Sequence, residues 1–316
     1  MKLLTGVAVA LVAAGGVAAS AAAMPTGFSG WSDATRVEDQ PGTPASFNGD
    51  GLDGCPFIAR DERSLYMASV RPGGLGGIDI WVARRDSPDD PWGAPENVGA
   101  PVNSPANDFC PTIDRNDQKL LFVSNRAGGC GGADIYVTHH RPDGWDDPRN
   151  VGCDVNSAAD EASPFPLPEP EKGKVLYFSS VRPGGFAPEA AGATVGDSDL
   201  YVSERHDGVY EAAELVPGVN TAFEDGQPNL RRDGREIFFF SNRPGTLGMA
   251  DIYSATRASV FEPWSEPFNL GPAVNSPNGA ETRPSLSWDG TTLYFGSTRP
   301  GGDGGADHYV TTRSPD

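Results

Sequence analysis

The chain has 316 residues, of which 40 are glycine and 29 are proline, and helix interiors tolerate neither residue. This content of glycine and proline excludes a mostly helical fold. The hydrophobic share of 38% is enough for a core and excludes a disordered chain. A formal charge of −19 repels phosphate backbones and argues against a nucleic-acid partner. An all-β fold of many short strands joined by tight turns is therefore predicted.

The first 23 residues differ from the rest of the chain. Lys2 is followed by an apolar stretch of small residues, and Ser20-Ala21-Ala22-Ala23 then resembles a signal cleavage site before Met24. A membrane anchor is the alternative, but the stretch is short for a spanning helix. Residues 1–23 are predicted to be a cleaved signal peptide. Residues 24–316 are then an exported monomer with no membrane span, in the periplasm or secreted.

One phrase occurs five times: a serine, any residue, an arginine, a glycine-rich turn, and an aspartate two residues before an aromatic residue. The first copy runs from Ser69-Val70-Arg71 to Asp79-Ile80-Trp81. A proline precedes the serine by 13 residues in four of the copies, with a turn and an apolar strand between them. The arginine and aspartate pairs are Arg71 and Asp79, Arg126 and Asp134, Arg182 and Asp199, Arg243 and Asp251, and Arg299 and Asp307.

Each repeat contains four predicted strands: A after the proline, B ending at the serine, C starting at the aspartate, and D starting at a large aromatic residue. Four antiparallel strands in a repeat of this length predict one blade of a β-propeller. The fifth repeat ends after strand C, and Trp31 to Val37 matches the strand D of the fourth repeat. The N-terminal strand is therefore predicted to close the last blade of a single five-bladed propeller. The repeats cover approximately 53–103, 108–156, 161–220, 225–275, and 281–316 together with 28–37.

The combined phrase, from the proline and turn through Leu-Tyr-Phe-Ser and Arg-Pro-Gly-Gly to Asp-Ile-Tyr, resembles a known repeat. It is similar to the TolB-type, WD-repeat-like propeller repeat of bacterial exported proteins. The resemblance covers nearly all of residues 28–316 and implies the propeller fold and export. It does not imply one particular function.

Polar residues recur at two places in the predicted blades. The B–C loops and the linkers from D to A share one face, here named the B–C face. The A–B and C–D turns share the other, the A–B face. Each arginine and its strand-C aspartate flank one loop, so they are predicted to pair as a structural staple. Five acids three residues before the strand-A prolines are predicted to surround the channel mouth on the B–C face: Asp53, Asp108, Glu161, Asp225 and Glu281.

Two roles for this acidic ring stay open. The carboxylates either cap linker N–H groups or pair with arginines, or they bind a cation or a basic ligand, since like charges repel unless they are compensated. The loop from Gly73 to Asp79 resembles a calcium-binding nonapeptide, but such motifs bind when stacked in tandem. Ca²⁺ is therefore a minor alternative, and no other cofactor, metal site or catalytic residue is predicted.

Four cysteines in an exported chain favour disulfides. Cys55 and Cys110 occupy equivalent places in consecutive repeats, while Cys130 and Cys153 lie in the B–C loop and the linker of the second repeat. The preferred pairing is Cys55–Cys110 with Cys130–Cys153.

The third repeat departs from the others. It has extra residues within 186–198, on the predicted B–C face, and around 168–174. Loops on a rigid scaffold often carry binding specificity, so the first insertion is a candidate contact region, with a neutral insertion as the alternative.

The preferred function is a non-catalytic binding or scaffold module for an envelope or extracellular protein or peptide, contacted by the B–C face and channel mouth. The alternative is a carbohydrate-active enzyme that uses two of the channel-mouth carboxylates as a glycosidase does. A structural or metal-binding envelope component is a third interpretation.

Overall fold

The computed structural model describes residues 27–114, 118–169, 173–186 and 197–316. The predicted signal peptide, most of the insertion at 186–198 and the centre of that at 168–174 lie outside these residues. In the part of the chain that is described, no helix is long and apolar enough to cross a membrane.

The strands form five small antiparallel sheets, which are the blades of one propeller. Strand β1 is Thr35–Arg36 and leads into a 3-10 turn at Val37–Asp39. Blade 1 comprises β2 (Asp53–Ile58), β3 (Ser64–Ser69), β4 (Asp79–Arg84) and β5 (Glu96–Asn97). Blade 2 comprises β6 (Asp108–Ile113), β7 (Lys119–Ser124), β8 (Asp134–Arg141), β9 (Gly144–Trp145) and β10 (Arg149–Asn150). Blade 3 comprises β11 (Glu161–Glu169), β12 (Gly173–Ser180), β13 (Asp199–His206), β14 (Val209–Tyr210) and β15 (Glu214–Leu215). Blade 4 comprises β16 (Asp225–Leu230), β17 (Glu236–Ser241), β18 (Asp251–Thr256) and β19 (Phe268–Asn269). Blade 5 comprises β20 (Glu281–Leu286), β21 (Thr292–Ser297), β22 (Asp307–Thr312) and β1.

The N-terminal strand completes blade 5. Thr35 and Arg36 of β1 pair antiparallel with Val310 and Tyr309 of β22. The five A strands, which are β2, β6, β11, β16 and β20, contact one another in a closed ring around the central channel. The predicted all-β fold, with five antiparallel blades of four strands and closure by the N-terminal strand, is confirmed, and blades 2 and 3 each add one short hairpin strand, β9 and β14.

The outermost strand is shorter than the sequence suggests. Strand D is only two residues long in every blade, as in β5 and β19. The aromatic residue that was expected to open it lies earlier: Trp145 and Tyr210 belong to the short hairpin strands β9 and β14. A proline between the aromatic residue and the paired residues, such as Pro95 or Pro148, has no N–H for the ladder, which explains the late start in the blades that contain it.

The core lies between neighbouring blades. Because side chains alternate across a strand, Ile237 and Phe239 of β17 face blade 3, whereas Phe238 faces blade 5. Five such clusters fill the five interfaces between blades. Trp92 is 1% exposed and packs edge-on against Tyr294 of blade 5, with 6.3 Å between ring centroids. The strand-D aromatic residues therefore act as packing between blades.

A buried ion pair joins blade 4 to the end of blade 5. Arg313 donates from both terminal nitrogens to Glu236, at 2.8 and 2.7 Å, and these side chains are 2% and 1% exposed. The Arg313 guanidinium also lies 4.1 Å from the ring centre of Phe28 in the N-terminal segment. The pair thus fastens both chain ends to the adjoining blade.

We expect Arg313→Met to lower the free energy of unfolding by about 3–5 kcal/mol, because the substitution removes both short hydrogen bonds of the buried Glu236 carboxylate and leaves it only Arg231, at 3.6 Å, as a cation. The matched control is Arg84→Met, which breaks the exposed pair with Glu96 and should cost about 1 kcal/mol or less. Urea unfolding of the three proteins gives the comparison. Equal losses in both variants would contradict a special role for the Arg313–Glu236 pair.

Candidate functional site

The staple predicted between each arginine and its strand-C aspartate is wrong. Arg71 forms its ion pair with Asp53, at 2.9 Å, instead of with Asp79. In the sheet, Ser69 lies between these two acids, with Asp53 opposite it on strand A and Asp79 opposite it on strand C. The Ser69 hydroxyl accepts from Arg71 Nε at 2.9 Å, which directs the guanidinium toward strand A.

The same arrangement occurs in every blade. Each arginine reaches the acid that opens strand A of its own blade, and also donates to a carbonyl of the preceding linker, as Arg71 does to Phe47 at 2.8 Å. The other four ion pairs are Arg126–Asp108 at 2.6 Å, Arg182–Glu161 at 3.0 Å, Arg243–Asp225 at 2.5 Å and Arg299–Glu281 at 3.1 Å.

The strand-C aspartates hold the glycine-rich loops instead. Asp79 accepts from the backbone N–H groups of Leu75 and Gly76 and from the Asn97 side chain on strand D. Asp134 and Asp251 accept loop N–H groups in the same way. These loops direct hydrogen-bond donors toward a carboxylate, whereas a calcium loop directs oxygen atoms toward its ion.

The acids of the predicted ring are 0% exposed: Asp53, Asp108, Glu161, Asp225 and Glu281. Besides its arginine, each accepts a linker N–H, which for Asp108 comes from Ser104 at 2.7 Å. These bonds correspond to the capping and pairing role. A ligand would have to displace arginine, serine or backbone donors to reach these carboxylates, so we do not place the ligand site there.

The pKa values of two ring members move in opposite directions. Burial opposes ionisation of Asp53, but His308, Ser69 and Arg71 outweigh it and lower the pKa of this carboxyl. Burial raises the pKa of Glu281 despite its hydrogen bonds.

Five linker asparagines support the same region and were missed in the sequence. Asn103 Oδ1 accepts the Ile80 N–H at 2.8 Å, and its Nδ2 donates to the Ile80 carbonyl at 2.9 Å. The equivalent residues are Asn48, Asn156, Asn220 and Asn275. A recurring Val-Asn-Ser or Val-Asn-Thr triplet before four of the acids is the sequence signal that would have found them.

The central channel is lined by one residue from each blade that lies two positions after the acid and directly before the proline. All five have left-handed backbone angles, with φ between 47° and 59°: Cys55, Cys110, Ser163, Gln227 and Arg283. They sit where the A–B pairing shifts register, as in a β-bulge. Side chains of strand A otherwise point alternately toward the two neighbouring blades. The bulge turns one side chain of each strand A into the channel instead.

The structure joins Cys55 to Cys110 across two blades and Cys130 to Cys153 within blade 2. This is the pairing that the sequence favoured. No cysteine of the chain is left free.

A cavity opens on the A–B face, opposite the face that the sequence favoured. Its volume is about 360 Å³. Phe57 of blade 1 and Phe165 of blade 3 meet across the channel, with 6.3 Å between ring centroids, and line both this cavity and the channel above it. Further apolar walls come from Ile113, Leu121, Leu230 and Leu286.

Charged and aromatic side chains surround this apolar base. The cationic residues are Arg60, Lys119, Lys174, Arg205 and Arg232, and Asp114 is the one carboxylate of the described lining. Burial and the charges of Lys174 and Arg205 lower the pKa of Lys119. The sequence signal was the clustering of basic residues at the A–B turns, for example Arg231 and Arg232.

Burial lowers the pKa of His308 to about 4. This histidine is 0% exposed, and its Nδ1 lies 3.1 Å from Asn48 Oδ1. It occupies the place of Ile80, Ile135 and Ile252 in other blades. His139 lines the cavity, and burial together with the charge of Lys119 lowers its pKa.

No protein-family model matches the chain, and no curated protein matches its sequence. Among solved structures, one described as a glycoside hydrolase has 11% identity over 91% of this chain and 92% of its own, with a TM-score of 0.61. An α-L-arabinofuranosidase from Podospora anserina, in complex with cellotriose, has 12% identity, coverage of 92% and 98%, and a TM-score of 0.56.

The similar structures also include TolB proteins. TolB from Acinetobacter baumannii has 13% identity over 84% of this chain, and the TM-score of 0.48 is too low to carry an argument. The chain spans 55% of the length of that TolB and 55% of a GH43_12 protein from a capybara gut metagenome. Identities this low show the fold alone.

We expect Asp225→Asn to lower the free energy of unfolding by about 3–5 kcal/mol, because Arg243 and the Thr221 N–H then lose a buried anionic acceptor. The control Asp146→Asn removes an exposed acid that pairs with the exposed Arg141 and should cost about 1 kcal/mol or less. Thermal and urea unfolding measure both. A stable Asp225→Asn protein would show that the ring is not structural.

We also expect acid to destabilise the protein through His308. Below a pH of about 6.5 the unfolded chain protonates this histidine, whereas the folded chain does so only near pH 4. Stability therefore falls as pH drops through this window, and by pH 4.5 the contribution is about 2–3 kcal/mol.

His308→Ile should remove this part of the pH dependence. Urea unfolding of both proteins at pH 7 and pH 4.5 gives the two differences to be compared. Parallel losses in the wild type and the variant would contradict the assignment.

Proposed function

We propose that this chain is a binding module of the cell envelope or the extracellular medium, and that it holds a segment of another protein or a peptide in the cavity on its A–B face. The observation that carries the proposal is the cavity itself. Its volume of about 360 Å³ lies within the range of ligand sites, and it combines an apolar base with a few polar groups.

The cavity rests on a rigid support. Lining residues come from the A strands of all five blades, such as Phe57 of β2 and Leu286 of β20. Hydrogen bonds link these strands around the channel: Ile58 N–H donates to Ser285, and Thr112 donates to the Pro164 carbonyl. A preorganised site of this kind loses little conformational freedom on binding.

The cysteines support an oxidising location. All four are paired, and disulfides persist in the periplasm and outside the cell but are rare in the cytosol. The signal-like residues 1–23 point in the same direction.

Glycoside hydrolysis is the rival function, since solved glycoside hydrolases share the fold. It requires two carboxylates about 5–9.5 Å apart at one sugar. The described lining of the cavity supplies Asp114, which already accepts the N–H groups of Gln118 and Lys119. On the B–C face, the strand-A acids are held by arginines and the strand-C aspartates by loop N–H groups. Both observations favour binding over hydrolysis.

The test places a photo-crosslinking residue at one of two exposed positions, Pro168 in the cavity wall or Val70 on the B–C face. The protein is irradiated in the cells that produce it, and the crosslinked segment is identified by mass spectrometry. We expect one defined adduct from Pro168 and none from Val70. Val137→Trp, which narrows the cavity, should abolish the adduct in protein that circular dichroism shows to be folded.

A synthetic peptide of the crosslinked segment should then bind in solution and compete for the adduct. Adducts only from Val70 would move the site to the B–C face. Turnover of arabinan or arabinoxylan oligosaccharides that is lost in Asp114→Asn would instead establish the enzyme.

A further inference from the structure

The cavity on the A–B face gathers positive charge in an otherwise acidic protein. On blade 2, Lys119 lies directly opposite His139 in the strand pairing. On blade 3, Lys174 lies directly opposite Arg205. Like charges opposite each other on neighbouring strands destabilise a sheet, so the Lys174–Arg205 pair costs stability. The two blades bring these groups close enough that Lys174 and Arg205 both lower the pKa of Lys119.

The far side of the cavity carries two more cations around one aromatic ring. The Arg60 guanidinium lies 4.8 Å from the ring centre of Trp288, and that of Arg232 lies 5.9 Å from it. Both arginines are exposed. Trp288 thus places cations from blades 1 and 4 at the cavity mouth, opposite those of blades 2 and 3.

Among the described residues, these cations have fewer acid partners than the arginines of the B–C face, although the charge of Asp114 acts on Lys119. Within the described ranges, Arg60, Lys119, Lys174, Arg205 and Arg232 form no ion pair. The chain has 43 acidic residues against 24 basic ones, so carboxylates are not scarce. An unpaired group of cations at a cavity is compensated when an anion binds there.

The base of the cavity sets a second requirement. Phe57 and Phe165 close the channel below the cations, and Leu121 adds to the apolar wall. A fully hydrated small anion gains nothing from such a surface, whereas an apolar group buried on it is stabilised.

We propose that the cavity binds an amphiphilic anion: an apolar group inserts against Phe57 and Phe165 while carboxylates beside it meet Lys119, Lys174 and Arg205. This inference rests on the proposed function and specifies its ligand as an acidic protein segment with an apolar anchor residue. Charge-assisted bonds to these cations then supply the selectivity, and burial of the anchor supplies much of the affinity.

The first experiment uses two fluorescent probes with the same apolar body. Anilinonaphthalene sulfonate carries one negative charge, and N-phenylnaphthylamine is the same skeleton without it. We expect the sulfonate to bind one site with a dissociation constant about tenfold or more lower than that of the neutral probe. Added salt should weaken only the sulfonate, because salt screens its charge contacts.

The double variant Lys119→Gln/Arg205→Gln tests the residues. It should abolish the preference for the sulfonate and leave binding of the neutral probe unchanged. Its melting temperature should not fall, because the substitutions relieve repulsion. The control Arg84→Gln/Arg141→Gln makes the same change in net charge at two exposed ion pairs and should retain the preference.

The second experiment identifies the source of the anion by competition against the sulfonate. We compare a peptide of Leu-Phe flanked by glutamates, the same peptide flanked by glutamines, and laurate. Displacement by the glutamate peptide alone supports the inference. Displacement by laurate alone would keep the anion chemistry but overturn the acidic segment.

Equal affinity for both probes, or a preference that survives in the double variant, would overturn the anion site while the proposed binding function stands. Binding of neither probe, together with no crosslink from Pro168, would overturn both.

Discussion

A buried carboxylate at the first residue of each innermost strand is the interaction on which this propeller depends. It lies on strand A beside the linker and the end of strand B, and it accepts hydrogen bonds from both neighbours: in blade 1 from the Gly49 N–H of the linker, from Ser69 at the end of strand B, and from Arg71 just after it. Because the acid is fully buried, it is stable only as part of this set. The set recurs in every blade, so each of the five A strands begins with the same contacts beside the channel. Apolar clusters then pack neighbouring blades against each other.

This arrangement separates the two faces of the molecule. On the B–C face, most of the charges that recur at the same positions of the repeat are paired within the protein: arginines form ion pairs with the strand-A acids, and strand-C aspartates accept hydrogen bonds from loop N–H groups. On the A–B face, the strands end in short turns that lie outside the network of acids and arginines. The side chains of these turns therefore differ between blades without disturbing that network. Trp288 in blade 5 stands at the position of Arg232 in blade 4, and one residue earlier Ser287 in blade 5 stands at the position of Asp114 in blade 2. Variation on a repeated frame is what a specific binding site requires.

The architecture was predictable because turn-forming residues recur at the same positions in each repeat. The proline before strand A, the Arg-Pro-Gly-Gly loop and the aspartate of strand C mark the strand boundaries directly, and Trp31 to Val37 supplies the missing strand. The sequence did not decide the partner of Arg71, because Asp53 and Asp79 both lie opposite Ser69. In the structure, the Ser69 hydroxyl directs Arg71 toward Asp53, and loop N–H groups hold Asp79. The cavity could not be predicted from the sequence either, because its lining residues are scattered over all five repeats. Lys119 and Lys174 are ordinary strand residues until the blades place them side by side.

Closure of blade 5 by β1 has a consequence for the order in which the molecule is built. Thr35 is synthesised long before its partner Val310, and all the strands of blades 1 to 4 lie between them in the sequence. The conformational entropy lost on closing so long a loop grows only slowly with loop length. The contacts that offset this loss form only when β22 pairs with β1. Until then both ends of the ring keep unpaired strand edges, which are templates for pairing with another chain. A growing chain therefore remains exposed to aggregation until β22 has been made and paired with β1.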